Sequence, residues 1–266
     1  MLNMHSFAES TSGDFTIRTF GEGSPVTVCV GGISYAPSDF YAFADGLIGT
    51  THVVDNPIHS GKVDRKTDWQ EWLRSQYARL FRELDGEFFV AHSSGSYDCL
   101  AIGNGLENLQ GSTLITPPYR LNTSAKQQGR MEEFGLLDRC LCDLCPDIPD
   151  ELYASLLQSH QAEYGHDPKL LKGIFRHEMP KNDDGERERK IIQLMRQYRA
   201  PILIILGTQD VWCSDVHTNS DRSDVVIDSL DAAHFPHYSQ PEVIVDKVQN
   251  WMVSAQKQTA IDSTSA

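Results

Sequence analysis

The segment Phe88-Phe89-Val90-Ala91-His92-Ser93-Ser94-Gly95 constrains this chain more than any other. An apolar run long enough for one buried strand ends at a serine with small residues two positions before it, Ala91, and two after it, Gly95. That is the layout of a nucleophile elbow, in which a strand turns sharply into a helix and holds the serine hydroxyl at the tip of a sheet. The small residues answer a steric demand, because at so tight a turn a larger side chain at either position collides with the adjoining strand or helix. The same stretch also fits a buried strand that ends in a polar Ser-Ser-Gly turn. The choice depends on whether the rest of the chain supplies a base, an acid and an oxyanion-binding loop.

The surrounding pattern alternates strand and helix signals. Phe15–Phe20 alternates in character and ends at Gly21-Glu22-Gly23, which predicts an edge strand and a turn. Val26–Val30 is a β-branched run stopping at Gly31-Gly32, and Thr51–Asp55 is a second short run closed by Asn56-Pro57. Trp69, Leu73, Tyr77, Leu80, Phe81 and Leu84 recur at helical spacing behind a capping pair, Asp68 and Glu71. After the elbow come a helix from about Gly95 to Gly105 and a strand over Ser112–Ile115. Pro201–Leu206 and Val225–Ile227 read as further strands, and Pro241–Val253 as a closing helix. This order implies an α/β fold with a mostly parallel sheet and helices on both faces.

Between residues 118 and 199 the strand signals stop, and a Leu-rich, charged pattern predicts helices over 124–143, 150–163, 168–177 and 185–198. The expected organisation is an α/β core from 1–117 and 200–257, with a helical cap at 118–199 inserted between the sixth and seventh strands and a disordered tail at 258–266. An insertion there sits above the C-terminal edges of the strands, where open α/β sheets place their sites.

Composition narrows the partners. At 266 residues and 40% apolar content the chain can build one large core. A formal charge of −14 repels phosphate backbones and anionic membranes, so neither nucleic acid nor membrane is an expected partner. There is no apolar run of membrane-spanning length. The N-terminus lacks a basic segment followed by an apolar one, so a cytoplasmic location is expected. Cys29 and Cys99 lie in apolar runs, where a free thiol acts as a small hydrophobe. The cluster Cys140-Leu-Cys142-Asp-Leu-Cys145 has irregular spacing and no second pair. His160, His166 or His177 would have to complete a zinc site, and reduced thiols on a helix are the preferred reading, with no metal expected.

A serine hydroxyl needs a base, and the base needs an orienting carboxylate. In chains with the elbow these follow in the order Ser, acid, His. Asp210 stands just beyond the apolar strand 201–206, on the loop at the expected edge; Asp215 is its nearby rival, and Asp228 and Asp231 lie too close to the histidine in sequence. His234 lies between the last strand and last helix with Ala232 and Ala233 before it, so its backbone can pass close to the elbow; His237 is the rival base. The oxyanion donors are assigned to the N–H of Ser94 and to that of Ile33, with Gly32 as the alternative, although Gly31-Gly32 also fits a simple strand-ending turn. Tyr35, Phe40 and His92 are candidate pocket residues, although a side chain one position before the serine points away from it, and packing behind the elbow is the preferred role for His92.

Taken together these motifs resemble the α/β-hydrolase fold superfamily, in its serine-hydrolase form with a helical cap, from about residue 13 to 255. The resemblance rests on Gly21-Glu22-Gly23 before the strand into Gly31-Gly32, on Asp55-Asn-Pro57-Ile-His59-Ser-Gly61, on Ala91-His92-Ser93-Ser94-Gly95, on Gly207-Thr-Gln-Asp210, and on His234-Phe-Pro-His237-Tyr-Ser-Gln-Pro241. The chain departs from the family at Gly31, where many members have His, at Ala91 and His59, where Gly is usual, and at Ser96, where a second Gly is frequent. The resemblance implies a small-molecule substrate with an acyl carbonyl, cleaved through an acyl-enzyme on Ser93 without a cofactor. Ester hydrolysis is the default. Thioester or amide cleavage, a proline-iminopeptidase-like activity, carbon–carbon bond hydrolysis and a non-turnover receptor on the same fold are the alternatives.

Overall fold

The computed structural model describes residues 6–32, 36–57, 69–118, 186–210 and 222–264, with a few helical positions between 151 and 162. Eight strands form one sheet in the order β1-β2-β4-β3-β5-β6-β7-β8. These are β1 (Ala8–Ser12), β2 (Phe15–Gly21), β3 (Val26–Val30), β4 (Thr50–Val54), β5 (Phe88–His92), β6 (Gly111–Ile115), β7 (Ile202–Gly207) and β8 (Val225–Leu230). Strand β2 pairs antiparallel with both β1 and β4, and every other neighbouring pair is parallel.

The central strands are buried on both faces, and apolar residues dominate them for that reason. Alternation along β5 sends Phe89 and Ala91 into one core, shared with Val28, Val30, Ile202 and Ile204. Phe88 and Val90 enter the other, with Cys29, Leu203 and Ile205. The first core is roofed by α2 (Trp69–Glu83) and α3 (Gly95–Ile102), the second by α1 (Tyr41–Gly46). Cys29 and Cys99 are buried free thiols within these layers, and burial pushes both upward, Cys99 to about 11.

The chain runs from β3 outward to β4 and returns to β5 on the other side of β3. Strand order therefore reverses between β3 and β5, and the loops that follow these two strands face each other at the C-terminal edge. Among the described residues no helix is long and apolar enough to cross a membrane.

Three expectations need correction. Residues 15–20 form an inner strand, since β1 pairs outside them from Ala8↔Thr19 to Ser12↔Phe15. Helix α4 (Glu186–Gln197) falls in the stretch expected as cap but packs on the core: Ile191, Met195 and Tyr198 are buried against the layer that holds Leu100 and Ile202. Arg222 fastens the end of this helix by donating to the Met195, Tyr198 and Ala200 carbonyls while pairing with Asp224. The tail expected to be disordered is helical almost to its end, because the last helices are α5 (Pro236–Ser239) and α6 (Pro241–Thr264). Buried Ile244, Val248 and Met252 anchor α6 on the second core. Apart from those few helical positions between 151 and 162, the rest of the expected cap, with the Cys140, Cys142 and Cys145 cluster, lies outside the described residues.

If α4 is part of the core, Ile191→Ala leaves a cavity and should lower unfolding free energy by about 2–5 kcal/mol. The same truncation at half-buried Ile192 should cost clearly less. Urea denaturation of the two variants checks this, and equal small losses would contradict the packing assignment.

Candidate active site

Ser93 follows the last residue of β5 and has φ 51°, in the left-handed region that non-glycine residues seldom enter. The turn is tied on both sides. The Ser93 N–H donates to the Ile115 carbonyl at 2.9 Å, and the Ser93 carbonyl accepts from Ser96 N–H at 3.0 Å as α3 begins. Gly95 has no room for a side chain, since a Cβ there would stand 2.7 Å from the Gly31 carbonyl oxygen. A Cβ on Gly32 would meet Ser94 N at 2.6 Å. The glycine pair after β3 thus packs directly on the elbow, with the backbone of Ser94 at the start of α3.

The loops after β7 and β8 are laced together. Thr208 N–H donates to the Leu230 carbonyl at 2.9 Å and Gln209 N–H to the Ala232 carbonyl at 3.0 Å. A Cβ on Gly207 would lie 2.4 Å from both the Ala232 and Ala233 carbonyl oxygens, so only glycine lets the loops approach this closely. This interlock brings His234 against Asp210 and Ser93. His234 Nδ1 lies 2.8 Å from Asp210 Oδ2 and Nε2 lies 2.9 Å from Ser93 Oγ. All three residues are buried, at 8% exposure for Ser93, 5% for His234 and 2% for Asp210. The carboxylate accepts from Nδ1–H, which leaves the Nε2 lone pair facing the serine hydroxyl.

The rival residues are engaged elsewhere or lie out of view. Asp228 pairs with Lys247 at 2.6 Å, and Asp231 accepts from Gln209 Nε2 at 2.6 Å. Asp215, Ile33 and Tyr35 fall outside the described residues, as does His59. His237 is fully buried, its ring 4.4 Å from that of Phe40 and 4.5 Å from that of His92. Neither of its ring nitrogens has a hydrogen-bond partner among the described residues.

Phe40 does not line a pocket, and His92 takes the packing place behind the elbow preferred for it over a pocket role. Both are at 0% exposure. Phe40 packs on Phe43 and His237 beneath the surface, and His92 lies behind the elbow with Nε2 at 2.9 Å from the His234 carbonyl oxygen. Thr116 donates to that same carbonyl at 2.9 Å. Thr116 belongs to no motif, although its place directly after an apolar strand and before Pro117 puts it at the C-terminal edge. A cleft of about 140 Å³ opens beside the elbow, walled by Gly32, Asn56, Trp69, Ser94, Tyr97 and Lys190.

No protein-family model and no curated protein sequence matches the chain. Its fold is shared with many solved structures. A hydrolase from Oleispira antarctica aligns over 89% of this chain and 93% of its own, at 16% identity and a TM-score of 0.71. The haloalkane dehalogenase DbeA from Bradyrhizobium elkani aligns over 95% and 99%, at 12% identity and 0.70. The enol-lactonase from Burkholderia xenovorans aligns over 92% and 100%, at 15% identity and 0.69. The chain has the α/β-hydrolase fold.

Burial, reinforced by the neighbouring His234, pushes the His237 imidazole down to about 3. An unfolded histidine takes its proton near pH 6.5, so between these values the native state binds fewer protons than the unfolded chain. His237 therefore contributes stability above the unfolded value that is lost as pH falls toward the folded one, at up to about 1.4 kcal/mol per pH unit. A His237→Leu variant should lose less stability than the wild type as pH drops from about 6.5 to about 3, in urea titrations at each pH. Parallel stability curves would contradict the assignment.

Proposed function

We propose that this protein is a serine hydrolase that cleaves a small carboxylic ester through an acyl-enzyme on Ser93. The observation that carries the reading is the unbroken chain from Ser93 Oγ to His234 Nε2 and from His234 Nδ1 to Asp210, at 2.9 Å and 2.8 Å. A serine at a strained strand-to-helix turn, with a base in hydrogen-bond reach and the base oriented by a buried carboxylate, is the arrangement that nucleophilic acyl transfer requires.

His234 takes the hydroxyl proton as Ser93 attacks the carbonyl carbon. The developing oxyanion is received by the N–H of Ser94 at the head of α3, with a second donor from the loop of Gly32 and Ile33. The protonated His234, held by Asp210, passes its proton to the leaving alkoxide. Water then attacks the acyl-enzyme with His234 again as base, and the acid leaves as Ser93 recovers its proton. The chemistry draws on these groups and water.

Among the structural neighbours, the enol-lactonase acts on a cyclic ester, in keeping with this choice, while the dehalogenase has a different reaction on the same fold. The choice of ester rests on the serine and its backbone donors, which suit an acyl carbonyl. The intact relay weighs against a receptor without turnover, because binding alone has no use for a base aligned on a serine. Thioester, amide and carbon–carbon bond cleavage use the same groups and separate in a substrate panel.

Short p-nitrophenyl esters provide the test. Wild-type protein should show saturable hydrolysis, Ser93→Ala should show none above background, and Asp210→Asn should lower kcat on the order of 10⁴-fold. Turnover that survives Ser93→Ala would overturn the proposal.

A further inference from the structure

We infer that His92 and Thr116 are positioning residues that hold the backbone of the base: their side chains close on the His234 carbonyl from two strands and keep the imidazole in line with Ser93. The inference rests on the proposed role of His234 and goes beyond it. His92 Nε2 and Thr116 Oγ1 each lie 2.9 Å from the His234 carbonyl oxygen. A carbonyl oxygen only accepts, so both contacts are donated to it, and His92 carries its proton on Nε2. The two donors occupy both lone pairs of a single oxygen.

The placement of the donors gives the clamp its purpose. His92 is the last residue of β5 and the immediate neighbour of Ser93, and Thr116 directly follows β6. The backbone between them is already tied, since Ser93 N–H donates to the Ile115 carbonyl at 2.9 Å and Thr116 N–H reaches the Ile205 carbonyl on β7 at 2.8 Å. The loop that carries the base is therefore anchored to the segment that carries the nucleophile, and any shift of one moves the other. His92 cannot swing away, because its ring is packed 4.7 Å from that of Phe235 and 4.5 Å from that of His237.

Thr116 shows that this arrangement is held against resistance. Its φ is 43°, in the left-handed region, which is unfavourable for a β-branched residue. Such strain persists only where surrounding contacts over-determine the backbone, and it gathers at functional sites. Here it accompanies a hydroxyl, at 0% exposure, directed to the base's own carbonyl. Core packing alone would be served by any apolar side chain of similar shape. Neither a serine hydroxyl nor its base tolerates misplacement, and an error of about 1 Å in such a pair can cost on the order of 10²-fold in rate.

The test compares shape-matched variants that lose the donor with variants that keep it. Thr116→Val retains β-branching and removes the hydroxyl, while Thr116→Ser restores it. His92→Phe retains a buried ring and removes the N–H, while His92→Gln retains a donor. For p-nitrophenyl ester hydrolysis we expect Thr116→Val and His92→Phe each to lower kcat about tenfold with KM little changed, and Thr116→Ser to recover most of the loss. A second readout needs no turnover: the downfield proton resonance of His234 Nδ1–H in NMR should broaden or move in Thr116→Val and return in Thr116→Ser. Unchanged kcat and an unchanged Nδ1–H resonance in both donor-lacking variants would overturn the inference, as would Thr116→Ser behaving like Thr116→Val. If His92→Phe does not fold, the Thr116 pair decides. If the wild type hydrolyses no ester, the proposed function fails while the resonance still tests the clamp.

Discussion

The turn at Ser93 is the constraint on which the rest of this structure depends. A strand buried on both faces ends there, and the next residue adopts φ 51°. Such a backbone is stable only if its neighbours leave no alternative. The Ile115 carbonyl takes the Ser93 N–H, the start of α3 takes its carbonyl, and the bare α-carbon of Gly95 lets the Gly31 carbonyl close in. A side chain at either glycine beside the turn would force β3 and β5 apart at the edge where strand order reverses. The sheet and the serine are one construction.

The second half of the site follows from contacts between loops that are remote in sequence. Gly207, Ala232 and Ala233 are small where the β7 and β8 loops meet, and their backbones are hydrogen-bonded to each other. That leaves Asp210 and His234 on facing loops at bonding distance, with His92 and Thr116 gripping the histidine from behind. His92 and Thr116 stand at the ends of β5 and β6, so the geometry around His234 is set by the rigid sheet and not by the loops alone.

Much of this was legible in the chain. The β-branched run Val26–Val30 and the apolar run through Leu206 became β3 and β7 because such runs pack only when covered on both faces. Ser93, Asp210 and His234 were singled out by their places just beyond strand ends, and His234 lies within hydrogen-bond distance of both the others. What escaped had weak or misleading local signals. Strand β1, Ala-Glu-Ser-Thr-Ser, carries no apolar face because it is an exposed edge held by its ladder with β2. Helix α4 has the charged, Leu-containing sequence pattern of the stretch before it, and only tertiary packing shows that Ile191 and Met195 enter the first core. Phe40 looked like a pocket residue from its distance to the oxyanion loop along the chain, yet that distance does not say on which side of the sheet edge a side chain lies.

The central claim is that Ser93 is the nucleophile of this relay, and its most direct measurement is the site of covalent capture. After incubation with a fluorophosphonate, peptide mapping by mass spectrometry should find one adduct, on Ser93, absent from Ser93→Ala and much slower to form in Asp210→Asn. An adduct on another residue, or ester turnover that continues with Ser93 unmodified, would contradict the account.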